Sequence, residues 1–274
     1  MSDVFGIAGC GTMGLSMARQ LAASNLEVWG YDVRPAEEFG DFAPRMVADR
    51  TDFARRCDIV FCIVLTVDQA EELCFGEGGL FTGADHPRIL VISSTISPRD
   101  LPRLADQLPD GVGLVDAPIS GSHPAAETGN LTFMVGGDPA DVAAVGPAFE
   151  VMGSSHHHCG PLGAGMTVKV VNNHIVLSTV ISVRKGMALA RARGVPEQAL
   201  LDALTAGSGQ VWYANNINTV DWAREAYAPV VGNTMAILEK DLKCYIDAFE
   251  DLPNLTTDKF EESMMENLFK FEEI

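Results

Sequence analysis

The chain has 274 residues, 47% of them hydrophobic, and a formal net charge of -18. That length allows one large or two modest domains with a sizeable core, and the acidity argues against nucleic acid or an anionic membrane as a partner, since both select basic surfaces. The longest apolar run, near Asp58 to Val67, is too short and interrupted to span a bilayer, and a signal segment is not evident, so a cytoplasmic location is expected.

Residues 4–8 predict a short buried strand, followed by a glycine turn and a helix from about Thr12 to Ala23. A second strand, Val28 to Tyr31, ends at Asp32. Apolar runs at 59–65, 89–92, 114–115 and 132–135 then alternate with helical patterns near 68–74, 98–108 and 139–151. This alternation predicts a parallel sheet covered by helices, a Rossmann-type doubly wound α/β domain over 1–162. Beyond about Pro161 the strand signal stops. A long helix from Gly165 to Arg193, a shorter one after Pro196 and one around Met235 to Phe249 predict an all-α domain over 163–274, joined to the first by the long helix. Residues 247–274 hold nine acids against Lys259 and Lys270 and read mainly as a solvated helix face.

In the long helix the apolar residues from Val168 to Leu189 fall on every side, the pattern of a helix packed all round. Lys169 interrupts it, and lysine is rarely buried without a partner. Asn172 and Asn173 follow by three and four residues, so the three side chains share one face and can converge on a small ligand. That combination suits proton transfer, with amides to orient the reacting group.

Gly9-Cys10-Gly11-Thr12-Met13-Gly14 fits GxGxxG after a strand and at the opening of a helix, the context that a dinucleotide-binding turn requires. Gly9 permits the tight turn, Gly11 lets backbone approach a pyrophosphate, and Gly14 permits close helix packing; the helix start at Thr12 and Met13 supplies amide donors. Asp32 closes the second strand, where a carboxylate accepts both adenosine ribose hydroxyls and repels a 2'-phosphate. NAD is therefore the expected cofactor, while Arg34, able to pair with a 2'-phosphate or stack on adenine, keeps NADP open. The six cysteines are scattered without a CxxC pair and suggest reduced, mostly packed thiols. His156-His157-His158 alternates sides in an extended segment without evident further ligands, so no metal is expected.

Four stretches together resemble the β-hydroxyacid dehydrogenases, the family of 3-hydroxyisobutyrate dehydrogenase and tartronate semialdehyde reductase. Phe5 to Ala18 is similar to the family's opening signature. Asp116-Ala117-Pro118-Ile119-Ser120-Gly121-Ser122 resembles its DAPxSGG loop, Gly163 to Asn173 its GxGxxxKxxNN motif, and Lys240-Asp241-Leu242 its KDL element. The resemblance implies that Lys169 is the general acid/base and that Ser120, Gly121 and Ser122 hold the substrate carboxylate, with Asn173 and Asp241 also at the substrate. It places Leu65, Thr66 and Thr95 on the nicotinamide side and brings Lys240 over the cofactor. A free lysine, with a pKa of about 10.4, is a poor base at neutral pH, so such a site must lower it by desolvation or a neighbouring cation, for which Lys240 is a candidate.

Two departures from the pattern stand out. Ser122 stands where the family commonly has a second glycine and is followed by His123 and Pro124, and the C-terminus is short and acidic. The expected activity is hydride transfer between a small 3-hydroxy acid and NAD, in a homodimer or homotetramer. The alternatives are an NADPH-dependent glyoxylate or semialdehyde reductase and, in another class, a non-catalytic dinucleotide-binding interaction protein. Imine reductases resemble the same fold but typically lack the motif lysine.

Overall fold

The computed structural model describes residues 3–217 and 235–269. The chain divides into two compact units, one ending at Lys169 and the other starting at Val170.

The first unit is built on an eight-stranded mixed sheet. Strands β1 (Val4–Ala8), β2 (Glu27–Tyr31), β3 (Ile59–Cys62), β4 (Ile89–Ile92) and β5 (Gly113–Asp116) pair in parallel in the order β2-β1-β3-β4-β5. Helices α1 (Thr12–Ala23), α2 (Arg50–Arg56), α3 (Val67–Phe75) and α4 (Asp100–Ala105) connect them. Alternate residues feed two cores. Phe5, Ile7, Ile59, Phe61, Ile89, Val91 and Val115 belong to one, and Val60, Cys62, Leu90, Ile92 and Leu114 to the other. Burial on both faces explains why these strands read as continuous apolar runs.

Past β5 the sheet departs from the all-parallel expectation. Pro118 separates β5 from the short β6 (Ile119–Ser120), and α5 (His123–Glu127) follows. Strand β7 (Leu131–Gly136) then runs antiparallel to both β5 and β6, and β8 (Gly153–Gly160) lies parallel to β7 after helix α6 (Pro139–Met152). Strand β8 carries the polar run Ser154 to Cys159 at an exposed edge, so its sequence lacks the apolar signal of an inner strand.

Helix α7 (Ala164–Ala192) opens the helical unit, followed by α8 (Glu197–Ala206), α9 (Met235–Asp247) and α10 (Lys259–Phe269). Their core contains Leu177, Val180, Ile181, Val183, Tyr213, Leu242, Met264 and Leu268. By length and composition α7 could cross a bilayer, a property it shares with core helices of globular proteins. Contrary to the all-round packing expected, Val168, Val171, Ile175 and Leu189 are 42–62% exposed. The acidic tail is also only partly solvated: Glu261 is buried, and Met264 and Leu268 anchor α10. Lys270, Glu272 and Glu273 of that tail lie outside the described residues.

Candidate active site

The glycine turn sits where the chain order of the sheet reverses, between β2 on one side of β1 and β3 on the other. Crevices at such switch points, beyond the carboxyl ends of the strands, are where open α/β sheets bind ligands. The Gly9 amide donates to the Tyr31 carbonyl at 2.9 Å. Its φ is +94°, and a Cβ there would lie 2.5 Å from the Ile63 carbonyl oxygen, so both turn and contact demand glycine. A Cβ on Gly14 would come within 2.0 Å of the Gly9 carbonyl oxygen. Gly11 differs, because an added Cβ would meet nothing within 4 Å. The protein's own packing does not require this glycine, whereas a backbone-hugging ligand would. Gly11 also caps α1 without a side-chain hydrogen bond, and the first turn, with Thr12 and Met13, carries no acid. The start of α1 therefore fits a dinucleotide pyrophosphate.

Asp32 follows β2 directly. Its carboxylate accepts from the Arg34 backbone amide at 3.1 Å and from Arg34 Nε at 3.1 Å. Arg34 Nη2 reaches the Cys10 carbonyl at 2.9 Å, and the guanidinium lies 4.7 Å from the Phe39 ring centroid. The two side chains line one wall of a cleft of about 430 Å³ with Tyr31, Pro35 and Met46. Both charges expected to select the adenosine end of the cofactor are thus present, and they neutralise each other. Beneath them, burial pushes the Cys10 thiol up to about 12, with Asp32 adding to the shift, so this cysteine stays protonated.

Leu65 and Thr66 lie just past β3. Leu65 is 39% exposed, and Thr66 caps α3: its hydroxyl accepts from the Gln69 amide at 3.2 Å, while Gln69 Oε1 accepts from Leu65 N at 2.8 Å. Thr66 thus has a helix-capping task whatever it does toward a cofactor. Thr95 lies beyond β4, half-buried between buried Ser94 and Ile96.

Ser120 ends β6, where it pairs with Thr132, and Gly121 and Ser122 lead into α5. Ser122 makes no side-chain capping bond, and His123 Nε2 lies 3.7 Å from Glu127 Oε1. Lys169 is half-buried near the start of α7.

Further along α7, Asn172 Nδ2 donates to Asn173 Oδ1 at 3.2 Å, and Asn173 Nδ2 donates to Asp241 Oδ2 at 2.7 Å. The other oxygen of Asp241 accepts from Lys240 Nζ at 2.7 Å. Lys240 and Asp241 are largely buried, with side-chain exposures of 22% and 14%, although they lie off the apolar stripe of their helix. Their charges are matched, and one carboxylate fixes which way the Asn173 amide points.

Residues 4–163 match the family model for the NAD binding domain of 6-phosphogluconate dehydrogenase. Residues 163–269 match the model for the NAD-binding domain of NADP-dependent 3-hydroxyisobutyrate dehydrogenase. The chain belongs to the β-hydroxyacid dehydrogenase family. Among its relatives in that family is the NAD-dependent L-serine dehydrogenase of Pseudomonas aeruginosa, 31% identical over 82% of this chain and 73% of that protein. The mitochondrial 3-hydroxyisobutyrate dehydrogenase of Homo sapiens is 33% identical over 78% of this chain, but the match spans only 65% of the human protein. A β-hydroxyacid dehydrogenase structure from Mycobacterium tuberculosis, 3-hydroxyisobutyrate dehydrogenase with L-serine, superposes with a TM-score of 0.79 at 26% identity, over all of this chain and 94% of the other.

Other side chains of this family member have structural tasks. His158 Nε2 lies 3.1 Å from the Gly137 carbonyl and 3.0 Å from that of Gly160, and the His156 ring packs on Phe149. Among the described residues no three His, Cys, Asp or Glu side chains converge as a metal site. None of the six cysteines is in a disulfide; four are buried, Cys244 is intermediate and Cys159 is exposed on β8. Two acids, Asp116 and Glu261, are buried, which neither the loop motif nor the acidic composition of the tail signals. Glu261 pairs with His174 at 3.1 Å. Asp116 is wholly buried where β5 meets the start of α7, and the signal for it was a carboxylate closing an apolar strand.

Proposed function

We propose that this chain is an NAD(P)-dependent dehydrogenase of a small 3-hydroxy carboxylic acid, with NAD preferred, in which Lys169 is the general acid/base. The observation that carries this reading is a half-buried lysine near the start of α7, in a chain whose Gly11 is left open for a dinucleotide. The bound nicotinamide supplies the hydride acceptor in oxidation and the donor in reduction. Lys169 then takes the proton from the substrate hydroxyl in oxidation and returns it to the carbonyl oxygen in reduction. Ser120, Gly121 and Ser122 receive the substrate carboxylate through hydroxyl and backbone donors, and Asn173, oriented by Asp241, hydrogen-bonds the substrate. The names of the relatives, 3-hydroxyisobutyrate and L-serine dehydrogenases, support this substrate class. Ser122, in place of a bare glycine, and the His123 that follows it suit a substrate with a polar substituent.

The presence of Arg34 beside Asp32 in the same cleft favours a second reading, reduction of a semialdehyde with NADPH, because a guanidinium that turned from Asp32 would pair with a 2'-phosphate. A screen separates the two. 3-Hydroxyisobutyrate, glycerate, serine, threonate and 3-hydroxypropanoate are each incubated with NAD and with NADP, and glyoxylate and a semialdehyde with NADH and with NADPH, while absorbance of the reduced cofactor is followed. Turnover of a 3-hydroxy acid with NAD supports the first reading, and activity confined to NADPH and aldehydes supports the second.

A further inference from the structure

We infer that Asp116 is a positioning residue that ties the strand leading into the Ser120 loop to the turn of α7 that carries Lys169. This rests on the reading of Lys169 as general acid/base.

Asp116 ends β5 and is 0% exposed. Its Oδ1 accepts the Gly163 amide at 2.8 Å, and its Oδ2 accepts the Met166 amide at 2.6 Å. Both donors belong to the opening of α7, whose first amides have no carbonyl partner within the helix. A buried carboxylate is costly unless it is hydrogen-bonded, and these amides, with the positive end of the helix dipole, are what holds this one. Burial raises the Asp116 carboxyl above its ordinary range while the amides of Gly163, Met166 and Gly165 pull it back. The bonds are short and charge-assisted, the strong kind.

The packing around the carboxylate leaves little room for other arrangements. A Cβ on Gly136, the sheet partner of Asp116, would lie 2.3 Å from Oδ1. A Cβ on Gly165 would lie 2.9 Å from Oδ2 and 2.3 Å from the Met134 carbonyl oxygen. Gly163 adopts a φ of +91°, which turns the chain so that its amide meets Oδ1. The two glycines ahead of the lysine are therefore explained by Asp116: one makes the turn onto the carboxylate, and the other lets the helix approach it.

Positions on either side complete the argument. Lys169 lies three residues beyond Met166, less than one helical turn, so a carboxylate that pins the Met166 amide fixes the rotation and height of the lysine's own turn. In the other direction Ser120 follows Asp116 by four residues through Ala117 and Pro118, and Ala117 N is held on the Ile92 carbonyl at 2.8 Å. One side chain thereby anchors the segment that would hold the substrate carboxylate and the segment that would move its proton. Misplacement of a reacting group by about 1 Å can cost on the order of a hundredfold in rate.

The test is a double-mutant cycle of Asp116→Asn and Lys169→Ala, with kcat, KM, NAD affinity and far-UV circular dichroism measured for all four proteins. Asn keeps the shape of Asp but presents an NH2 group to an amide that needs an acceptor. Asp116→Asn is expected to lower kcat about 10- to 100-fold with NAD affinity within twofold, and to raise the primary deuterium isotope effect on kcat as the chemical step becomes limiting. In the Lys169→Ala background the same change should cost no more than about threefold, because the group it positions is gone. An equal loss in both backgrounds, or a kcat within twofold of wild type, overturns the role of Asp116 alone. If Lys169→Ala itself turns over like wild type, the acid/base reading fails instead. Should Asp116→Asn not fold, amide hydrogen exchange in the wild type decides: the Gly163 and Met166 amides should exchange at least a hundredfold slower than unstructured ones, and near-unprotected exchange overturns the proposal.

Discussion

The Asn173 side chain donates to Asp241 Oδ2 at 2.7 Å, joining the helix of the motif lysine to the helix of Lys240 and Asp241. Asp241 holds the amide, and Lys240 balances the charge. Loss of the carboxylate removes the acceptor of the Asn173 Nδ2 donor and the oxygen that Lys240 Nζ meets. Asp241→Ala is therefore expected to raise KM for the hydroxy acid about tenfold, the scale of one lost hydrogen bond to a charged or oriented partner. Steady-state kinetics at saturating NAD check it, and an unchanged KM would remove Asp241 and Asn173 from the substrate site.

Cofactor preference follows from the pair at the other end of the chain. Asp32 would be desolvated against a 2'-phosphate, whereas Arg34 would welcome one. The wild type should favour NAD in kcat/KM, and Arg34→Ala should widen that preference severalfold. A tenfold preference of the wild type for NADP, about 1.4 kcal/mol, would make Arg34 the specificity residue and reverse the assignment.

The sequence carried the five parallel strands and the long helix plainly, because inner strands buried on both faces are continuous apolar runs and α7 is a long stretch, apolar on every side, with no proline within it. The reversal at β7 was hidden, since Thr132 to Val135 reads the same in either direction and Pro118 marks only a break. Strand β8 was hidden because an edge strand of serines and histidines has no hydrophobic pattern. For the candidate site, spacing on one helix placed Lys169, Asn172 and Asn173 together, but contacts over long separations had no local signature. The bonds from Asn173 to Asp241 and from Gly163 and Met166 to Asp116 are of that kind. Composition likewise made the acidic tail look solvated, although one of its acids is the buried partner of His174.

That acid gives a stability prediction. Glu261 Oε1 meets His174 Nε2 at 3.1 Å, Oε2 accepts the Asp258 amide at 3.0 Å, and the histidine ring stacks on Tyr245 at 4.0 Å between centroids. Glu261→Ala removes both acceptors and leaves the half-buried His174 without this partner. A destabilisation of about 1–3 kcal/mol is expected from unsatisfying a buried polar group, with a lower Tm at neutral pH. An unchanged Tm would show that the Glu261–His174 pair does not hold α10.

Association is expected from apolar residues of α7 that are exposed among the described residues. Val168, Val171 and Ile175 recur at three- and four-residue spacing, with Leu189 further along, and they are 42–62% exposed. An apolar stripe of this kind is the sort of surface that a second copy covers in a symmetric oligomer. Light scattering at micromolar concentration should give the mass of a dimer or larger, and Ile175→Asp should lower it. A wild-type mass near 29.3 kDa would refute the association.

Lys169 carries the most direct prediction. Lys169→Ala should lower kcat by about 10²- to 10⁴-fold, the range for losing a positioned general acid or base, with NAD affinity nearly unchanged. The two halves discriminate between roles. A lysine that only anchored α7 would, when removed, cost folding or cofactor binding, and one that only held a carboxylate would raise KM and spare kcat. A small primary amine added to the assay should restore part of the lost rate if the missing function is proton transfer. A folded Lys169→Ala protein that turns over within threefold of wild type at saturating substrate would end the assignment.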